Sequence, residues 1–348
     1  MTINVSIPAM DRKAEELARK RWDSLTKPQG SLGRLEELGI CLAGMTGSGC
    51  STFARKVIFT VAADHGVASE GVSAFPSSVT AQMVFNFIQG GAGINVLARL
   101  VGSEVVVVDA GVAADVPLMD GLIQAKIRLG TANFLKEPAM SREEALQSIE
   151  TGRRLFKEHH EKEPIGLMGL GDMGIGNTTS SAALTALFTG LPVAQVTGRG
   201  TGIEEERRLR KIHVIEEALH LHRPDPKDPI DCLAKVGGLE IGCLAGIALG
   251  AASHRVPVVL DGFITTAAAL VAQGIAPEVK EYFIAAHQSM EPGHREALKF
   301  LGLVPLLDLQ MRLGEGTGAA LGIFLIEASR RLLTEMATFS EAGVSEKL

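Results

Sequence analysis

Short runs of β-branched and apolar residues recur along the chain, and each stops at a polar residue or a glycine turn. They cover 57–63 before Asp64-His65-Gly66, 104–108 before Asp109-Ala110-Gly111, 165–170 before Gly171-Asp172, and 256–260 before Asp261-Gly262. A weaker fifth run, 282–286, ends at His287-Gln288. Apolar residues at helical spacing lie between them, so strand and helix alternate. Strands apolar on both faces suit a parallel sheet covered on each side, which predicts an α/β fold with a Rossmann-like parallel sheet flanked by helices. The ends read differently. Helices are expected near 10–21, from Leu35 onward and over 319–336, with no strand signal in the first 50 residues. Residues 1–50 and 292–348 are therefore expected to form a smaller helical part on an α/β domain of 51–291. Gly47-Ser48-Gly49 and Glu291-Pro292-Gly293 mark the boundaries.

A chain of 348 residues with 46% hydrophobic content can bury a large core across about two domains. Aromatics make up only 4%, so that core rests on Ala, Val, Leu and Ile. A net charge of -6 with no concentrated basic stretch argues against nucleic acid as a partner. Cys41, Cys50, Cys232 and Cys243 form no C-x-x-C pair, and two lie in apolar helical runs, which fits free thiols in a reducing cytoplasm. No basic, apolar leader opens the chain, and the apolar stretches 241–253 and 262–276 are interrupted by Gly, Thr or Gln, so no membrane span is expected.

In an open parallel sheet, ligands lie beyond the carboxyl ends of the strands. The pattern places Asp64, His65, Asp109, Asp172, Asp261 and His287 along that edge, although any one of them can instead cap a helix or close a turn. Gly171-Asp172-Met173-Gly174-Ile175-Gly176-Asn177-Thr178-Thr179 reads as strand end, glycine loop and helix start. Glycines admit a close ligand, and first-turn N–H groups at the positive end of the helix dipole suit a phosphate, so Gly174, Gly176, Asn177 and Thr178 are candidate ligands. No Gly-Lys-Ser/Thr follows and no G-x-G-x-x-G is present. A mononucleotide phosphate ester is thus the better expectation, with a simple tight turn as the alternative.

Arg312-Leu313-Gly314-Glu315-Gly316-Thr317-Gly318 sets one carboxylate between glycines ahead of a long helix. A bulky ligand can approach Glu315, and an apolar cover would raise its pKa towards that of a neutral-pH base. Its bland reading is a helix-dipole glutamate. The segment 64–83 leads into a helix with Met83, Phe85 and Phe87, and can form an apolar slot for a flat ring with Ser78 or Gln82 at its edge. A further polar loop, Val196-Thr197-Gly198-Arg199-Gly200-Thr201-Gly202, precedes a charged helix on which Lys211 is one of several cations able to face an anion. His159-His160 and His220-x-His222 lack acidic or thiol partners at ligand spacing, so no metal site is expected. No G-x-S-x-G elbow supports a serine hydrolase.

Taken in order, Lys27-Pro28-Gln29-Gly30-Ser31-Leu32-Gly33, Ala63-Asp64-His65-Gly66-Val67, Gly174-Ile175-Gly176-Asn177-Thr178-Thr179, Gly198-Arg199-Gly200-Thr201-Gly202, Leu260-Asp261-Gly262-Phe263 and Gly314-Glu315-Gly316-Thr317-Gly318 resemble one family over nearly the whole chain. That family is the nicotinate-nucleotide–dimethylbenzimidazole phosphoribosyltransferases. The resemblance implies transfer of phosphoribose from nicotinate mononucleotide to 5,6-dimethylbenzimidazole, with inversion, in building the lower ligand of cobalamin. It implies a homodimer and no cofactor, and makes Glu315 the catalytic base with the smaller helical part contributing it. It sets Lys211 and Gly202 near the nucleotide, and Ser78, Gln82 and Leu313 near the benzimidazole. One departure stands out: the family often carries Glu where this chain has Asp172, which keeps the charge but shortens the reach. Asp172 is expected either to assist Glu315 or to position the loop. A nucleotide sensor without turnover and a dinucleotide oxidoreductase remain as alternatives, the second weakened by the missing glycine fingerprint.

Overall fold

The computed structural model describes residues 3–49 and 52–345. In chain order the elements are α1 (Arg12–Ser24), α2 (Arg34–Thr46), β1 (Lys56–Ala63), α3 (Ser78–Gln89), α4 (Gly93–Val101), β2 (Glu104–Gly111), β3 (Leu122–Gln124), α5 (Arg142–Lys162), β4 (Leu167–Met173) and α6 (Asn177–Thr189). There follow α7 (Val193–Val196), α8 (Glu205–His222), α9 (Pro229–Val236), α10 (Leu239–Ser253), β5 (Val258–Leu260), α11 (Phe263–Ile275), β6 (Phe283–Ala285), α12 (Pro292–Leu301), α13 (Thr317–Glu335) and α14 (Phe339–Ala342). The six strands form one sheet in the order β3-β2-β1-β4-β5-β6, and every pairing is parallel. This is the expected Rossmann-like arrangement, and its strand order reverses between β1 and β4, where a crevice opens at the carboxyl ends.

All five expected strands are present. The sheet also contains β3, which the pattern did not announce. Its three residues, Leu122-Ile123-Gln124, pair only with β2 and grade from buried to exposed, too short a run to register as a strand. Side chains of β1 alternate between the two layers. Phe59 meets the His159 ring of α5 edge-on, while Thr60 donates from its hydroxyl to the Glu315 carbonyl oxygen at the start of α13. The apolar run 241–253 lies within α10 and 262–276 spans α11 with its two caps; α10 is almost wholly buried, as is α11 up to Ala272. One described stretch, 78–101, is long and apolar enough by composition to cross a membrane. It is two helices, α3 and α4, broken at Gly90 where φ is +77°.

Small residues let α5 and α10 approach closely. A Cβ on Gly246 would lie 1.9 Å from the Ile149 carbonyl oxygen, a backbone atom that cannot swing aside. Gly246→Ala should therefore lower the unfolding free energy by about 1–3 kcal/mol despite the better helix propensity of alanine. Urea denaturation followed by circular dichroism checks this, and an unchanged or higher midpoint would contradict the close packing.

A second, smaller core gathers Ala14, Ala18, Trp22, Leu25, Ala43 and Leu333 from α1, α2 and the end of α13. By contrast, α12 packs on α6, α7 and α11, and α13 also packs on β4, β5 and β6. The C-terminal segment thus belongs partly to each core. Among the described cysteines, Cys41, Cys232 and Cys243 are free, with thiols pushed by burial up to about 11, 12 and 12. Such thiols are unreactive near neutrality. Cys50 lies outside the described residues.

Candidate active site

A cavity of about 360 Å³ opens at the carboxyl ends of the strands. It is lined by Asp172 to Ile175, Asn177 and Thr178 on one side and Arg312 to Glu315 on another. Gly262, Phe263, His287, Ser289 and Glu291 add a third wall, and Phe75, Val79 and Met83 close the apolar end.

The loop between β4 and α6 turns because Gly176, the N-cap, adopts φ of +99°. Asn177 opens the helix and donates from its side-chain nitrogen to Asp172 Oδ2 at 2.9 Å. Asp172 Oδ1 is buried and has no hydrogen-bond partner among the described residues. Burial, reinforced by Asp261 and Glu240, holds the Asp172 carboxyl well above the usual range, and Asn177 only partly offsets this. In the second turn of α8, Lys211 is wholly buried and donates from Nζ to Thr178 Oγ1 at 2.7 Å. Burial lowers its pKa to about 8, with Glu291 pulling in the opposite direction. Glu291 Oε1 accepts from the Gly200 N–H at 2.7 Å, whereas its buried Oε2 is unpartnered among the described residues. The 198–202 loop is held across the cavity by Arg312 Nη1, which donates to the Gly200 carbonyl oxygen at 3.3 Å.

Glu315 lines the same cavity. The glycine of Gly171-Asp172 is needed here, since a Cβ on Gly171 would fall 2.2 Å from the Glu315 carbonyl oxygen. The Glu315 carboxylate accepts from the Ile94 N–H at 3.1 Å, in the first turn of α4. The dipole that favours its charge therefore belongs to α4, and not to its own helix as the sequence suggested. Burial raises its pKa, the Ile94 and Gly93 N–H groups oppose the rise, and Asp261 adds to it.

The structure sorts the other expected residues. Glu315, Asp172, Gly174, Asn177, Thr178 and Leu313 line the cavity. Gly176 and Lys211 sit directly behind that lining, and exposed Gly202 lies beside the Arg312 guanidinium. Ser78 and Gln82 are exposed on α3 and do not line it, because the next positions around that helix, Val79 and Met83, are the ones turned inward. The expected convergence of six strand-end residues needs correction. His287 and Asp172 reach the cavity, but Asp64 Oδ2 accepts from the Ala113 N–H, and Asp109 Oδ1 closes a turn with the Gly111 and Val112 N–H groups. His65 spans Glu240 at 2.6 Å and Ser180 at 3.0 Å, fully buried behind α6. Sequence reasoning assigned no role to Glu291, Arg312, Phe263 or Ser289. Of these, Glu291 stands in the sequence as a boundary mark and Arg312 as a motif flank, and nothing local to either announces a cavity wall.

The Phosphoribosyltransferase family model matches residues 7–344. The chain is 57% identical over 346 residues to the nicotinate-nucleotide–dimethylbenzimidazole phosphoribosyltransferase of Chloroflexus aggregans, covering 99% of this chain and 98% of that one. The chain belongs to this family. It is likewise 58% identical to the enzyme of the same name from Geobacter sulfurreducens, over 97% of this chain and 96% of the relative. The crystal structure of the enzyme of that name from Thermus thermophilus superposes with a TM-score of 0.91 at 46% identity, covering 97% of this chain and 100% of the other. As a member of the family, the chain is a phosphoribosyltransferase enzyme.

Proposed function

We propose that this enzyme transfers phosphoribose from nicotinate mononucleotide to 5,6-dimethylbenzimidazole, releasing nicotinate and α-ribazole 5′-phosphate for the nucleotide loop of cobalamin. The observation that carries the reading is the pairing of two buried carboxylates, Glu315 and Asp172, with a helix-start loop backed by Lys211 in one cavity. Family membership supplies the substrates.

The phosphate would sit on Gly174, Gly176, Asn177 and Thr178 with Lys211 as counter-charge and Gly202 nearby. The acceptor ring would lie against Val79, Met83 and Leu313, with Ser78 and Gln82 at its outer rim. Bond breaking between the anomeric carbon and the pyridinium nitrogen returns the electron pair to that nitrogen, so nicotinate departs without acid help. The acceptor nitrogen bonds to the anomeric carbon from the opposite face. Its ring then carries a positive charge, and its N–H proton passes to the Glu315 carboxylate. Asp172, whose carboxyl is held well above the usual range by burial, favours its protonated form, while Glu315 serves as the base. Environments that push two carboxyl pKa values apart commonly divide their roles in this way.

We also place the enzyme in the cytoplasm as a homodimer. In support, apolar Phe75, Val96, Leu100, Leu118 and Leu129 are exposed in the single chain. Light scattering after gel filtration reads the assembly directly.

The test of the reaction mixes purified protein with both substrates, without added metal, and follows products by chromatography with mass detection. Equimolar nicotinate and α-ribazole phosphate are expected. Binding of nicotinate mononucleotide without nicotinate release would instead mark a sensor.

A further inference from the structure

Four described non-glycine residues have positive φ, and Glu315, at +66°, is the one among them that lines the cavity. It stands between Gly314 at +88° and Gly316 at +101°, so three successive residues are left-handed. Glycine adopts that conformation freely, but a glutamate does so at a cost and keeps it only where the surroundings over-determine it. Those surroundings are visible. The Glu315 N–H donates to the Asp172 carbonyl oxygen at 3.2 Å, and Thr60 Oγ1 donates to the Glu315 carbonyl oxygen at 2.9 Å. Immediately after, Asp261 Oδ2 accepts from the Gly316 N–H at 2.9 Å, and its Oδ1 accepts from the Gly318 and Ala319 N–H groups at 2.6 and 3.3 Å. One carboxylate thus takes up three of the N–H groups at the start of α13, which a helix otherwise leaves unpaired. Asp261 itself is buried, does not line the cavity, and has His287 Nε2 at 3.7 Å from Oδ1.

We propose that Asp261 and Thr60 are positioning residues for the base: Asp261 clamps the N-terminus of α13, Thr60 fixes the Glu315 carbonyl, and together they hold the left-handed turn that presents the Glu315 carboxylate to the cavity. The inference rests on the reading of Glu315 as base. Neither residue touches substrate in this arrangement. The Asp261 charge has a second consequence, because it opposes ionisation of Glu315 and so favours the proton-accepting strength of its carboxylate. The other ionisable groups facing the same cavity are Asp172 at the end of β4, His287 after β6, Glu291 before α12 and Arg312 on the Glu315 loop, with Lys211 of α8 behind Thr178. The start of α4 offers only the Gly93 and Ile94 N–H groups, and β1 the Thr60 hydroxyl.

The experiment compares Asp261→Asn, Thr60→Val and Glu315→Gln in the full-length enzyme, reading kcat, the KM for nicotinate mononucleotide, and kcat against pH. An asparagine amide turns donors towards N–H groups and removes the charge. Displacing the base by ~1 Å should lower kcat about 10²-fold, and KM should change far less. The acid limb of the kcat profile should also move to lower pH. Thr60→Val, which deletes one hydrogen bond at nearly constant shape, should lower kcat about five-fold with the acid limb unmoved. A purely structural role would reduce the folded fraction but leave that limb in place. Should Asp261→Asn fail to fold, Thr60→Val decides: a kcat equal to that of the parent overturns the proposal. Both variants matching the parent beside an inactive Glu315→Gln would overturn the clamp and leave the base standing. Full activity of Glu315→Gln would overturn the base, and the clamp with it.

Discussion

Glu315→Gln is expected to lower kcat by about 10²–10⁴, the range a positioned general base contributes, with little change in the KM for nicotinate mononucleotide. A glutamine keeps the volume and an oxygen able to accept the Ile94 N–H, so the turn and the α4 contact persist. What it loses is the acceptor for the benzimidazole proton. Its effect on stability should be opposite in sign. Burial raises the folded-state pKa of Glu315, so the folded state binds more protons than the unfolded chain, and stability is lost as pH rises from the unfolded value through the folded one. Near neutrality the ionised side chain is therefore a cost, and Glu315→Gln should melt no lower than the parent. The parent's kcat should fall on the acid side along a limb displaced upward from the ordinary glutamate value, in the direction in which burial shifts Glu315. Asp172→Asn should cost less activity, since that carboxyl already tends to be protonated. Parent-like turnover by Glu315→Gln, or a lower melting temperature alongside its loss, would contradict this account.

Much of the scaffold was legible because fully buried parallel strands write themselves as continuous apolar runs. Residues 57–63 and 165–170 read as strands for the same reason that β1 and β4 occupy the middle of the sheet, where both faces need cover. β3, at the edge, needs little cover and left little trace. Local motifs likewise picked out side chains that line the cavity at the β4–α6 turn and at Glu315, where backbone geometry demands glycines beside them. Relations between distant segments were not legible. Nothing near Glu315 says that the α4 N-terminus will meet its carboxylate, or that Asp261, on the turn between β5 and α11, will clamp its helix. Asp64 and Asp109 show the converse error. Both stand at strand ends like Asp172, yet one oxygen of each is turned onto N–H groups of nearby loops and neither residue lines the cavity, a distinction that depends on the path of the loop that follows. Ser78 and Gln82 stand one position from Val79 and Met83, and a rotation of about 100° around the helix decides which pair faces the cavity.

Lys211→Met should raise the KM for nicotinate mononucleotide by roughly 10- to 150-fold, the equivalent of one charged hydrogen bond of about 1.5–3 kcal/mol, with a smaller change in kcat. The ammonium lies wholly buried, donates to Thr178 Oγ1 next to the helix start, and has Glu291 as a neighbouring charge. Burial has already brought its pKa down to about 8, so the free enzyme begins to lose this cation at mildly alkaline pH. In the parent, KM should accordingly rise as pH passes through 8, because the unprotonated amine offers a phosphate no charge. In Lys211→Met that alkaline rise should disappear, leaving KM high and flat. Folding should not suffer: the unfolded chain holds the lysine proton more tightly than the folded one, so burying the cation costs stability at neutral pH, and methionine fills similar space without a charge. A variant with parent-like KM and an intact alkaline limb would mean that Lys211 only fills the space between Thr178 and Glu291. Removal of the limb together with a raised KM is the outcome that a phosphate counter-charge requires and a space-filling lysine does not produce.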